Sequence, residues 1–234
     1  DGRMQPVAGT ERYIPCDTLI LSVGLIPEND ILDSLAPKID TRTKGPQVNQ
    51  YMETTVPGLF SCGNALHVND LVDYVSESGS IAGEQAALLC SRIPFEGNTI
   101  AGRSQSTEYR MAALTRIEPY FTELQPAELC KNPAEIPIYA DKTLLYQTPA
   151  RIVPDGKQAV LYFRSAAQRD QAVLTITAET KKGKIVLFQK TFRSLKPPEM
   201  ERIIVDTTSI PAYTKQLSVS LTDAEPAHRA KEAK

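Results

Sequence analysis

Tryptophan is absent from this chain, and aromatic residues make up only 6% of it. Sugar-binding surfaces stack their ligands on exposed rings, so a carbohydrate-binding role is disfavoured. An excess of charge of one sign is also missing. The 26 Lys and Arg face 28 Asp and Glu for a net charge of −2, and no basic surface for a nucleic-acid backbone stands out. No run of 18 or more apolar residues occurs, which excludes a transmembrane helix. No charged-then-apolar leader opens the text. Cysteine is sparse: Cys16, Cys62, Cys90 and Cys130 are widely spaced and none forms C-x-x-C, so neither a zinc site nor a vicinal dithiol is legible. Reduced, mostly buried thiols in a cytoplasmic protein are expected. Cys62 is either small core filler or a neighbour of a cofactor. The G-x-G-x-x-G turn that cradles a dinucleotide pyrophosphate is lacking as well.

What is present begins with residues 54–64, TTVPGLFSCGN. Pro57 fixes one φ of a turn and Gly58 supplies the positive-φ position after it. Residues 59–62 then read as a short strand, ended by Gly63, which permits close backbone approach, and Asn64, which carries both a donor and an acceptor. Earlier, residues 18–23 read as a buried strand stopped by Gly24 and Pro27. From about Asp70 to Arg92 the spacing predicts a long helix with Leu71, Val75, Ala82, Ala86 and Leu89 in one sector. Asp73, Glu77, Ser80, Glu84 and Ser91 fall on the other side. Asn69 or Asp70 is its expected N-cap. Gly79 and Gly83 each weaken such a helix by about 1 kcal/mol relative to Ala, a cost explained if they lie close against a sheet.

Together these two segments resemble the C-terminal part of the FAD domain in pyridine nucleotide-disulfide oxidoreductases of the thioredoxin reductase type. In that family one strand ends in Gly before an x-Pro turn, and a second segment reads T-x-x-P-G-(V/L/I)-(F/Y)-A-x-G-D. The run GNALHVNDLVDY over residues 63–74 further resembles the NAD/FAD-dependent oxidoreductases found beside anaerobic glycerol-3-phosphate dehydrogenases. The likeness covers about the first hundred residues. It implies a FAD contact at Gly24, Pro27, Gly63, Asn64, Asp70, Leu71 and Val72. Asn64 stands where the family has an Asp that accepts from a ribityl hydroxyl, so the charge is lost and an acceptor kept. The helix N-terminus would face the pyrimidine edge of the flavin, with the amides of Leu71 and Val72 favouring negative charge there. His67 is a tentative proton relay, or else a surface loop residue. NAD(P) and most of the FAD site would lie on polypeptide upstream. The chain begins at Asp1 rather than Met and is read as a piece of a longer enzyme, inactive by itself. A small redox protein or a glycerol-3-phosphate dehydrogenase-like partner would take the electrons.

The remaining text divides the chain. Residues 1–15 carry turn signals at Gly2, Pro6 and Gly9, which the resemblance reads as the last hairpin of an NAD-binding domain. Asn29 is placed to cap a short helix carrying Ile31, Leu32 and Leu35, ended by Pro37. A small hairpin is expected around Gly45. Residues 1–103 thus form the C-terminal part of a FAD/NAD(P)-binding, Rossmann-like α/β domain. Residues 104–148, broken by Pro119, Pro126, Pro133 and Pro137, form an irregular connection, with a strand at 111–117 and a helical turn at 127–130. Period-two patterns over 159–164, 173–179, 184–192, 200–205 and 216–221 predict an antiparallel, Ig-like β-sandwich over residues 149–222. Arg164 and Lys190 are charges among its apolar residues without an evident cluster. Residues 223–234 read as a solvated, disordered tail. The alternative to an enzyme is a non-catalytic interaction module whose α/β piece has lost its cofactor.

Overall fold

Each apolar position on the predicted strands needs a partner sheet to cover it, and a computed structural model of the chain shows where that sheet lies. The structure describes residues 5–21, 24–92 and 135–224. Among these, the strands are β1 (Ile136–Ala140), β2 (Leu144–Thr148), β3 (Arg151–Ile152) and β4 (Gln158–Ser165). They continue with β5 (Arg169–Thr180), β6 (Gly183–Leu195), β7 (Met200–Asp206) and β8 (Gln216–Asp223). A five-stranded sheet, in the order β3-β1-β8-β5-β6, faces a three-stranded sheet, β2-β4-β7.

Period-two alternation builds the core between them. Leu174, Ile176 and Ala178 of β5 and Leu217, Val219 and Leu221 of β8 meet Leu161 and Phe163 of β4 and Ile203 and Val205 of β7. All are buried, and full burial of such an aliphatic side chain stabilises the fold by about 1.5–3 kcal/mol. Neighbouring strands are antiparallel except β1 and β8, which pair in parallel from Ile138 opposite Leu217 to Ala140 opposite Val219. β1 and β2 fall in the stretch read as an irregular connection. Pro137 does not prevent pairing of its neighbours, since Ile136 and Ile138 point into the core while Pro137 lies on the other face. The expected elements at 111–117 and 127–130 lie outside the described residues.

A third layer covers the back of the small sheet. Tyr162 of β4 is fully buried there with Met200, under Val48, Met52 and Leu66 of the preceding loops and Ala82 of the helix. β4 is therefore covered on both faces, which is why its middle reads VLYF without a polar break. The hairpin around Gly45 forms as expected, with the Asp40 N–H donating to the Gly45 carbonyl at 2.8 Å and an antiparallel bridge from Ile39 to Pro46. A side chain at Gly45 would strike the Leu66 carbonyl, 1.9 Å from an added Cβ. The turn at Pro57-Gly58 also forms: Gly58 has φ of 77°, and the Leu59 N–H donates to the Val56 carbonyl at 3.1 Å.

Other expectations fail for one shared reason. Backbone in a strand needs a neighbour for its N–H and C=O groups. Residues 18–21 form no strand, and Leu19, Ile20 and Leu21 are 74–85% exposed; Ser22 and Val23 lie outside the described residues. Residues 59–62 make only an isolated bridge, Phe60 to Glu53. Residues 5–15 hold a turn at Ala8-Gly9 but no paired strands. Asn29 precedes a 3-10 helix, Asp30–Leu35, yet makes no side-chain cap; its Nδ2 donates to the Lys44 carbonyl at 3.2 Å instead. Of the described cysteines, Cys16 and Cys90 are exposed and Cys62 is half-buried, packed against the third layer; Cys130 lies outside the described residues.

Candidate functional site

The helix α1 (Val72–Arg92) starts two residues later than the spacing suggested. Its inward face includes Val75, Ser78 and Ala82, while Leu71 is exposed. Gly79 and Gly83 have open space where a Cβ would stand, so no close approach explains them. Glu77, expected on the solvated side, points to the small sheet. Its carboxylate accepts from the Tyr162 hydroxyl at 2.6 Å and from Arg202 Nε at 2.7 Å, with a second, shorter contact to Arg202 Nη2. Arg202 first, and then Tyr162, hold the Glu77 carboxyl below its ordinary range. Burial, with the adjacent Glu77 carboxylate, pushes the Tyr162 hydroxyl up. A polar bond made under an apolar layer fixes geometry as well as adding stability.

Asp70 is not a helix cap. One of its oxygens pairs with Arg164 and the other accepts from the Met200 N–H at 2.6 Å. Arg164 also donates through Nε to the Tyr146 hydroxyl at 2.8 Å, through Nη2 to the Val68 carbonyl at 3.2 Å, and to the Pro198 carbonyl. The loop before α1 is thus tied to strands β2, β4 and β7 of the sandwich. His67 lies inside this network rather than on the surface. It is 1% exposed, with ring centroids of Tyr146 and Tyr162 at 5.6 and 5.5 Å. Burial above all, aided by Arg164 and opposed by the Val68 carbonyl, pushes its pKa down to about 4. The imidazole is therefore neutral at neutral pH, and its Nδ1 is buried without a hydrogen-bond partner among the described residues.

A cleft of about 470 Å³ opens beside it, lined among others by Ile26, Pro27, Arg42, His67, Tyr146 and Arg164. The volume is that of a small-molecule pocket. Of the residues expected to contact FAD, Pro27 and Asp70 line this cleft, as does His67. The others do not. Gly24 has φ of 77° with open space around its Cβ position. Gly63 has φ of 62°, and its N–H is taken by Ser78 Oγ at 3.0 Å. Asn64 is exposed, and its Oδ1 accepts from the backbone N–H and the Nδ2 of Asn69 at 3.1 and 3.3 Å. Leu71 and Val72 are 51% and 79% exposed.

Of the groups a flavin would need, the Gly63 N–H and Asn64 Oδ1 are already engaged within the protein. Asn64 keeps its Nδ2 to donate to a ribityl hydroxyl oxygen, and the first-turn amides of α1, which a helix leaves unpaired, stand at an exposed helix start. Arg42, Tyr146, Arg164 and Glu77 escaped the sequence reading. Arg164 was visible as a charge among apolar residues, but its partners Asp70 and Tyr146 are 94 and 18 residues away, separations that carry no local pattern. Among the described residues no group of three or more His, Cys, Asp and Glu could hold a metal, and no helix is long and apolar enough to cross a membrane.

No curated protein and no solved structure matches the chain. Residues 1–86, which carry Gly24, Gly63, Asn64 and the start of α1, match the family model described as pyridine nucleotide-disulphide oxidoreductase, a likeness confined to that part of the 234-residue chain.

Proposed function

We propose that this chain is part of a FAD-dependent oxidoreductase that passes electrons between NAD(P)H, a flavin and an acceptor. The reading is supported by one coincidence: the matched segment contains a glycine–asparagine loop just ahead of the exposed N-terminus of a 21-residue helix. Bound flavin would supply the hydride and electron chemistry itself. The contribution of this chain is electrostatic and positional. The amides at Leu71 and Val72 and the positive end of the α1 dipole favour negative charge within hydrogen-bond reach, by about 0.3–1 kcal/mol where exposed. Asn64 orients a hydroxyl without adding charge. The Asp70–Arg164 pair holds the loop between them against the sandwich.

Finer parts of this reading are the thioredoxin reductase-like type, an acceptor that is a small redox protein or a glycerol-3-phosphate dehydrogenase-like enzyme, an Ig-like fold for the sandwich, and a cytoplasmic setting. NAD(P) and the rest of the FAD site would be held by upstream polypeptide of the same enzyme, which would also cover Leu19, Ile20 and Leu21. A second reading, a non-catalytic interaction module with a vestigial flavin fold, is favoured by the engagement of Asn64 Oδ1 by Asn69 within the loop and of the Gly63 N–H by Ser78 of α1.

Visible absorbance of the purified longer protein separates the two. A flavin band is expected, and Asn64→Ala should lower flavin affinity about tenfold, the equivalent of one lost hydrogen bond. Protein that carries the upstream segment and is colourless after refolding with added FAD would leave the interaction-module reading in place.

A further inference from the structure

The cleft beside His67 has a chemistry that the flavin contacts do not use. On one side lie the apolar residues Leu25, Ile26 and Pro27, with Leu25 and Ile26 65% and 83% exposed. On the other lie Arg42, Lys44 and Arg164. Among the described residues, Asp70 is the only carboxylate lining the cleft, and it is paired with Arg164. The Arg42 guanidinium donates to the carbonyls of Ala140, Asp141 and Leu144 at 3.4–3.5 Å, and its backbone N–H to Asp40 Oδ1 at 2.8 Å. Neither Arg42 nor Lys44 has a carboxylate partner among the described residues. Among the described residues, two positive charges are therefore left without an ion-pair partner within 4.0 Å. Low-dielectric walls beside such charges strengthen their pull on an anion.

A second observation points the same way. His67 lines the cleft, is 1% exposed, and has an Nδ1 with no hydrogen-bond partner among the described residues. A buried polar atom left unpaired is destabilising, and a bound molecule carrying a hydrogen-bonding group would supply the missing partner.

We infer that this cleft is a binding site for a small organic oxyanion, its charged end held by Arg42 and Lys44, its apolar body against Leu25, Ile26 and Pro27, and a polar atom paired with His67. The inference goes beyond the flavin reading: of the residues expected to contact FAD, Pro27 and Asp70 line the cleft, while Gly24, Gly63, Asn64, Leu71 and Val72 take no part in it. Carboxylate and phosphate monoester share the required chemistry.

The test is calorimetric titration of the 234-residue chain with benzoate, phenyl phosphate and neutral benzamide, with the His67 ring resonances followed by NMR. One of the two anions should saturate and shift His67, and the tighter of them names the head group. Lys44→Gln, at an exposed position, and Arg42→Gln should each weaken binding about tenfold with circular dichroism unchanged, and benzamide should bind at least about tenfold more weakly. Three results would overturn the inference: no saturation by either anion below about 10 mM, benzamide binding as tightly as benzoate, or wild-type affinity in both variants. The flavin band is read on the longer protein, so either proposal can fail without the other.

Discussion

Two apolar stretches of similar text meet opposite fates. Residues 174–178 alternate Leu, Ile and Ala with Thr and are wholly enclosed on one side, whereas Leu19, Ile20 and Leu21 stand in solvent. The difference is not propensity. β5 lies between β6 and β8, both supplied from nearby sequence, while residues 18–21 have no neighbouring strand among the described residues. A strand is a statement about its partners, and local pattern alone does not name them.

Truncation should separate the two most sharply. Leu174→Ala is expected to lower the unfolding free energy by about 2–5 kcal/mol, whereas Leu19→Ala should stay within about 0.5 kcal/mol; urea titration of the two variants measures both. A loss above about 1 kcal/mol at Leu19 would mean that the exposed stretch packs somewhere in solution.

The seam between the regions should respond to acid. The His67 pKa is about 4 in the fold against 6.5 for a free imidazole, so the unfolded chain binds the extra proton first. The contribution from the neutral, buried ring is therefore complete above pH 6.5 and is lost as the pH falls toward 4, about 2 kcal/mol of it by pH 5. His67→Gln should flatten that part of the stability–pH curve between pH 7.5 and 5; an unchanged slope would place the acid sensitivity elsewhere.

The smallest effect has the opposite sign. Nothing lies within 4 Å of a Cβ at Gly79, so Gly79→Ala should raise stability by up to about 1 kcal/mol through helix propensity alone. Thermal melting checks it, and a fall in Tm would reveal a neighbour on that face.

How much could be read in advance follows from the same distinction. The Pro57-Gly58 turn, the Gly45 hairpin, the long helix and five of the strands are written in local pattern, because turn chemistry and periodicity act over a few residues. β1 and β2 were hidden by the prolines around them. Of the candidate site, His67, Asp70 and Pro27 drew notice through their motif, but the roles of His67 and Asp70 changed once the sandwich supplied Tyr146, Arg164 and Met200. Burial and ion pairing between residues about a hundred positions apart leave no local trace, and Glu77 shows it most plainly: a polar residue on a helix reads as solvated until Arg202 and Tyr162 are seen across from it.

The covering of Tyr162 and Met200 by Val48, Met52 and Leu66 has a practical corollary for dissecting the molecule. A cut made just ahead of β1 would strip one face from β4 and leave a sticky half. The shortest autonomous piece should instead begin near Pro37, where the first buried residue of the hairpin layer appears. In any reshuffling of modules, the sandwich and the loops preceding it would have to travel as one cassette.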